Sequence, residues 1–197
     1  VVALRRGVPM PQVVATQVKY LQRARRKLPS LYAARCIIPP RAFEQSSSME
    51  SAERKAIGGE SLLDLSCGLG IDAMAAARNF RRVVAVERDE VLAEVVRYNM
   101  QLLGVENVEV VTASAEEFIA STDDHFDWVF VDPDRRSDEG KKMVRMEDCS
   151  PNVLSMMPRL EEIASRVAIK LSPMFDVEEA LRLLPDSVVE VVSMAGE

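Results

Sequence analysis

The chain of 197 residues is 48% hydrophobic and 28% charged, enough to bury one substantial core but too short for two full domains. No apolar run approaches the roughly 20 residues that span a bilayer, and the first residues lack the apolar segment and cleavage site of a secretory leader. The three cysteines, Cys36, Cys67 and Cys149, are odd in number and far apart. Membrane-spanning and disulfide-scaffold classes are thereby excluded, and a soluble cytoplasmic protein with reduced thiols is expected. Because the chain opens on Val1 and stops at Glu197 within a β-rich run, a piece of a longer polypeptide is also expected.

The net charge of -6 hides an asymmetry. Residues 1–43 hold nine Lys or Arg and no Asp or Glu, which leaves sixteen basic against 31 acidic residues in the remainder. Two interpretations follow: a basic arm that contacts a phosphate backbone, or a segment that docks electrostatically on the acidic part.

In chain order, Pro11 stands at a first helical position and the sequence after it reads as a helix ending before Pro29. Lys19, Arg23, Arg26 and Lys27 share one face of that helix and are the candidate RNA contacts. Pro39-Pro40 predicts an extended link. Ser47-Ser48-Met49-Glu50 has capping-box spacing, predicting a short helix to about Ile57, stopped by Gly58-Gly59. We therefore divide the chain into a basic helical segment and linker, residues 1–58, and a second unit, residues 59–197, expected to be truncated at its C-terminal end.

From residue 61 short apolar strands alternate with amphipathic helices. Strands are predicted near 61–66, 82–87, 107–112, 126–131, 166–171 and 187–193, with helices near 71–79, 89–103, 114–121, 151–164 and 176–184. This alternation predicts an α/β fold with a Rossmann-like, doubly wound, mostly parallel sheet. Ligands of such sheets bind outside the carboxyl ends of the strands, and every candidate below lies at one of those ends.

Asp64 ends the first strand, and Ser66, Cys67, Gly68 and Gly70 form the turn that follows. A zwitterionic amino acid group would find there a carboxylate for its ammonium and exposed amides for its carboxylate. The stretch Asp-x-x-Cys-Gly-x-Gly resembles motif I of the class I S-adenosyl-L-methionine-dependent methyltransferases, which implies that cofactor. Glu87 ends the second strand 23 residues after Asp64 and matches the acid that accepts ribose hydroxyls. Ser114 occupies the place where the family carries an acid facing the adenine amino group; its hydroxyl could serve there or cap the next helix. Gly68-x-Gly70-x-x-Ala73 also fits a loose dinucleotide fingerprint, but Asp64 four residues before the first glycine is foreign to that pattern.

Asp132-Pro133-Asp134-Arg135 ends the fourth strand, where amino-group methyltransferases carry Asp/Asn-Pro-Pro-aromatic. A carboxylate and a backbone carbonyl that accept the N–H groups of an exocyclic amine favour its nucleophilic, pyramidal form. Asp134 replaces the second proline and Arg135 the aromatic residue, so stacking on a base would fall to a guanidinium.

Gln45 to Glu50, Arg54-Lys55-Ala56, Asp132 to Arg136, Asp148 to Pro151 and Ile169 to Met174 together resemble a bacterial group called THUMP-like class I methyltransferases. That resemblance spans most of residues 10–195. It implies a Rossmann-like methyltransferase domain with an N-terminal helical region and a C-terminal extension, and it names no substrate.

The expected activity is methyl transfer to a base nitrogen of RNA, with Asp132, Pro133, Asp134 and Arg135 orienting the acceptor. The alternatives are a small-molecule methyltransferase of the same fold, or a non-catalytic RNA-binding module with a relict pocket. Cys149 is expected to be a structural thiol rather than the nucleophile of a C5-methyltransferase, and Trp128 to be core. His125, the sole histidine, is expected at the surface, so no metal site is predicted. Lys170 is left between a phosphate contact and a snorkelling side chain.

Overall fold

The computed structural model describes residues 9–134, 146–172 and 175–192. Four helices come first: α1 (Pro11–Lys27), α2 (Pro29–Ala33), α3 (Pro40–Gln45) and α4 (Met49–Glu53). There follow β1 (Gly59–Asp64), α5 (Ile71–Ala76), β2 (Phe80–Glu87), α6 (Glu90–Leu103), β3 (Val108–Thr112), α7 (Ala115–Ser121) and β4 (Phe126–Val131). A 3-10 turn (Met146–Asp148), α8 (Val153–Ile163), β5 (Ala164–Ile169) and α9 (Val177–Leu183) complete the described elements.

The five strands form one sheet in the order β3-β2-β1-β4-β5, and every pairing is parallel. Alternate residues of the central strands enter opposite cores: Leu62, Val83 and Ala85 face one, and Leu63, Val84 and Val86 the other. A two-residue period with both faces covered is what a buried parallel sheet demands. Helices α5 and α6 cover the first face, and α7 and α8 the second. The winding reverses between β1 and β4, so the carboxyl ends of these neighbours flank the switch point where open α/β sheets bind ligands.

The N-terminal helices are built into the first core. Ala24, Leu28, Leu31, Cys36, Ile38 and Phe43 belong to the same cluster as Leu62 and Phe130 of the sheet. Two side-chain amides lace the connecting stretch in place. Gln17 donates to the Cys36 carbonyl at 2.8 Å and accepts from Ile38 N–H at 3.1 Å. The buried Asn99 of α6 does the same for both polar groups of Ile37, at 2.9 and 2.8 Å. Side-chain amides with both ends satisfied fix one docking geometry.

Three sequence expectations need correction, and a fourth is met in part. Pro40 opens a helix at its first position instead of sitting in an extended link, because its missing N–H and fixed φ suit that position. The cap of α4 is Ser48, which accepts from Ser51 N–H, and the helix ends at Glu53, short of Ile57. Trp128 packs against the first core as expected but is only partly buried there, with the Arg166 guanidinium 5.2 Å from its ring centre. Residues 188–192 form no strand: Val188 is 96% and Val191 80% exposed. A valine-rich run suits a sheet only beside a partner, and among the described residues nothing pairs with the outer edge of β5.

Candidate active site

The turn from β1 into α5 is shaped by two glycines with positive φ. At Gly70 (φ 80°) an added Cβ would lie 2.9 Å from both Val96 Cγ1 and Met100 Cε, so conformation and space alike require glycine. At Gly68 (φ 55°) an added Cβ would meet nothing nearer than the Ser66 carbonyl at 3.9 Å, which leaves this backbone open to a ligand. The Gly68 N–H donates to Glu87 Oε2 at 2.8 Å, and Asp89 N–H to Glu87 Oε1 at 2.9 Å. Glu87 thus stands directly across the turn from the second strand end.

Asp64 lies beneath this turn, fully buried. Its Oδ1 accepts from Ser66 N–H at 2.9 Å, while Oδ2 is buried with no partner among the described residues. Burial, then the negative charge of Asp72, push its pKa up to about 7, against the Ser66 N–H that favours the charged form. Asp64 therefore supports the turn from below.

Ser66 joins the two strand ends. Its hydroxyl accepts from Asp132 N–H at 2.6 Å and donates to Asp64 Oδ1 at 3.4 Å. The Asp134 departure has a comparable cause. Asp134 N–H donates to the Ser150 carbonyl at 2.8 Å, and Ser150 N–H donates back at 3.0 Å. A proline at 134 would lack the first donor. The Asp134 carboxylate also accepts from Gln45 Nε2 at 2.8 Å. Arg135 and Arg136 lie outside the described residues.

Asp132 forms an ion pair with Lys170, just past β5. Lys170 Nζ also donates to Ser47 Oγ at 3.1 Å, and Ser47 donates to Asp72 Oδ2 at 2.8 Å. Asp72 in turn is ion-paired with Lys55. Lys170 is thus engaged within the chain by a carboxylate and a hydroxyl at the edge of the cleft. Gln45, Ser47, Lys55 and Asp72 were not foreseen; Ser47 in particular was read as a helix cap.

These groups surround a cleft of about 650 Å³ along the carboxyl edge of the sheet, walled by Gly68, Glu87, Ser114, Asp132, Asp134 and Lys170. Ser114 caps α7 in a complete capping box, accepting from Glu117 N–H at 3.1 Å and donating to the Glu117 carboxylate at 2.9 Å. Cys149 lines the cleft, whereas Cys36 is buried in the core. His125 is exposed. Among the described residues no group of three or more His, Cys, Asp or Glu could hold a metal ion, and no helix is long and apolar enough to cross a membrane.

The basic face of α1 is partly engaged within the chain. Arg23 pairs with Glu44 and lies 5.0 and 5.1 Å from the ring centres of Tyr20 and Phe43. Lys27 donates to the Phe43 carbonyl at 2.8 Å. Lys19, Arg25 and Arg26 point to solvent.

A parallel sheet reversed at β1 and β4, a glycine turn after the first strand, an acid ending the second and Asp-Pro ending the fourth are together the architecture of the class I methyltransferase fold, the class whose methyl donor is S-adenosylmethionine. The profile of the family described as conserved hypothetical protein 95 matches residues 45–148, and the chain belongs to that family. It is 30% identical over 163 residues to a tRNA/tmRNA (uracil-C(5))-methyltransferase of Neisseria meningitidis, covering 70% of this chain and 44% of that one. With the enzyme of the same name from Psychromonas ingrahamii it shares 33% over 138 residues, covering 58% and 37%. The chain thus spans less than half the length of these relatives. The crystal structure of a "putative methyltransferase" from Porphyromonas gingivalis superposes with a TM-score of 0.77 at 30% identity, covering 89% of this chain and 44% of that one.

The residues present fit the donor. The open side of Gly68 gives a backbone approach, and Glu87 offers carboxylate oxygens at the second strand end.

Proposed function

We propose that this chain transfers a methyl group from S-adenosylmethionine to a base nitrogen of RNA in the cytoplasm, and that it belongs with the THUMP-like group. The observation that carries the proposal is the Ser66 hydroxyl shared between Asp64 and the Asp132 backbone, which sets a carboxylate acceptor beside the glycine turn at one cleft. The sulfonium supplies an activated methyl group. The chain supplies orientation: Asp64 and the backbone of the Ser66–Gly70 turn for the amino acid end, Glu87 for ribose hydroxyls and the Ser114 region for the adenine end. Asp132 and the Pro133 carbonyl accept the N–H groups of the acceptor, with Asp134 beside them. Residues 1–58 form a wall of the cleft through Gln45 and Ser47, and RNA runs over Lys19 and Arg26, flanked by Arg23 and Lys27.

The test is incubation with labelled S-adenosylmethionine and separated RNA pools, followed by nucleoside analysis. Label on a base nitrogen is expected. Label only on small molecules, or cofactor binding without turnover, overturns it in favour of a small-molecule enzyme or a relict pocket. A second reading rests on Cys149, which lines the cleft in a chain whose relatives bear the name uracil-C5-methyltransferase. That chemistry needs a covalent nucleophile. A covalent adduct with 5-fluorouracil RNA that disappears in Cys149→Ser favours it; full activity in Cys149→Ser eliminates it.

A further inference from the structure

Two ion pairs, each less exposed than the other pairs of the described surface, are joined in line by one hydroxyl. The line runs Lys55, Asp72, Ser47, Lys170, Asp132. Its members come from the stretch after α4, the first turn of α5, the segment before α4, the residue after β5 and the residue after β4. Ser47 is only 9% exposed. It accepts from Lys170 and donates to Asp72, so its hydroxyl acts as both acceptor and donor between the ammonium of one pair and the carboxylate of the other.

We propose that Lys170 and Ser47 are positioning residues for Asp132: Ser47, brought in by the N-terminal segment, fixes the Lys170 ammonium on Asp132 so that this carboxylate stays ionised and oriented toward the acceptor. The inference rests on Asp132 being the group that orients the acceptor. The charges that face Asp132 are Lys170 from the β5 end, Asp64 from β1, Asp72 from α5 and Lys55 from the stretch after α4. Three carboxylates thus share two ammonium groups. Burial pushes Asp132 upward and Lys170 is the largest influence holding it down. Lys170 itself is raised despite burial, first by Asp132 and next by Asp72, and so keeps its charge. A carboxylate that loses its proton-bearing neighbour in such a cluster protonates at higher pH, and a protonated acid is a weaker acceptor for the N–H of the amine. Lys170 engages Oδ2 of Asp132, which leaves Oδ1 toward the acceptor.

The experiment is a carboxyl carbon NMR titration of ligand-free protein carrying labelled aspartate, with Asp132→Asn used for assignment. Lys170→Met is expected to raise the Asp132 midpoint by about one pH unit or more, Ser47→Ala to raise it by less, and Lys170→Arg to restore it. The acid limb of methyl transfer to RNA is expected to move the same way. If Lys170→Met fails to fold, Ser47→Ala, which removes one oxygen atom, carries the titration. An Asp132 midpoint unmoved in the folded variants overturns the inference. Wild-type protein that methylates no RNA overturns the functional reading instead, and the ligand-free titration separates the two results.

Discussion

Asp64 is a carboxyl group placed where ionisation is unfavourable. Both of its described hydrogen bonds come from Ser66 and fall on one oxygen, its other oxygen is buried and without a partner among the described residues, and Asp72 and Asp132 add negative charge nearby. The folded protein therefore holds a proton on Asp64 up to about pH 7, while the unfolded chain releases it near 3.8. Where the folded state binds more protons, stability falls as pH rises. The contribution is present in full below about pH 4 and is lost progressively toward pH 7. Asp64→Asn keeps an acceptor for the Ser66 N–H and removes the charge. Urea unfolding should show the variant gaining on wild type across that window, by an amount on the order of a few kcal/mol at pH 7; parallel stability curves would refute the assignment. The glycine turn and Glu87 were legible at this scale because backbone conformation and strand-end acids leave marks in sequence. The Ser66 bridge was not, since a hydroxyl that joins two strands depends on a register no local pattern encodes.

Among the elements, α1 has two duties on one face. Arg23 and Lys27 fasten α3 through Glu44 and the Phe43 carbonyl, and α3 leads directly into Gln45 and Ser47. Neutralising these two residues would disturb the cleft as well as any RNA contact. The discriminating variant replaces Lys19, Arg25 and Arg26 with Gln. It should lower the salt slope of RNA association by roughly 2 units while leaving affinity for S-adenosylhomocysteine unchanged. An unchanged salt slope would show that RNA runs elsewhere. Element type was readable wherever period and caps agreed, as in α6, where Asp89 caps the start and Gly104 (φ 66°) ends the helix. The proline-led α2 and α3 were missed because five- and six-residue helices carry no period, and Pro39-Pro40 signals a link as strongly as a helix start. The tail at 188–192 shows the opposite error: β propensity was read correctly, but a strand is a property of a pair.

For the molecule as a whole, the basic first 43 residues and the acidic remainder share one hydrophobic cluster, so the charge division does not mark a physical seam. Charge asymmetry reports what faces solvent, and the docking of α1 to α4 is written in Leu28, Leu31, Ile38 and Phe43 instead. A ligand that occupies the cleft touches groups contributed from both sides of that division and should stabilise the entire cooperative unit. At a hundredfold excess over its Kd, S-adenosylhomocysteine is expected to add about 2.7 kcal/mol, read as one upward-shifted thermal transition. Two transitions, only one of which responds, would show that the N-terminal helices melt independently.

The Ser66 hydroxyl acts as a gauge block between two strand ends. Because the same oxygen touches the Asp64 carboxylate and the Asp132 amide, the spacing between the proposed donor side and acceptor side is set immediately beyond the two strand ends, by one side chain bridging the first residues of their connections. Residues at the rim can then diverge to suit different substrates while the length of the methyl's path stays constant. A Ser66→Gly change would leave each half recognisable and remove the standard against which they are aligned.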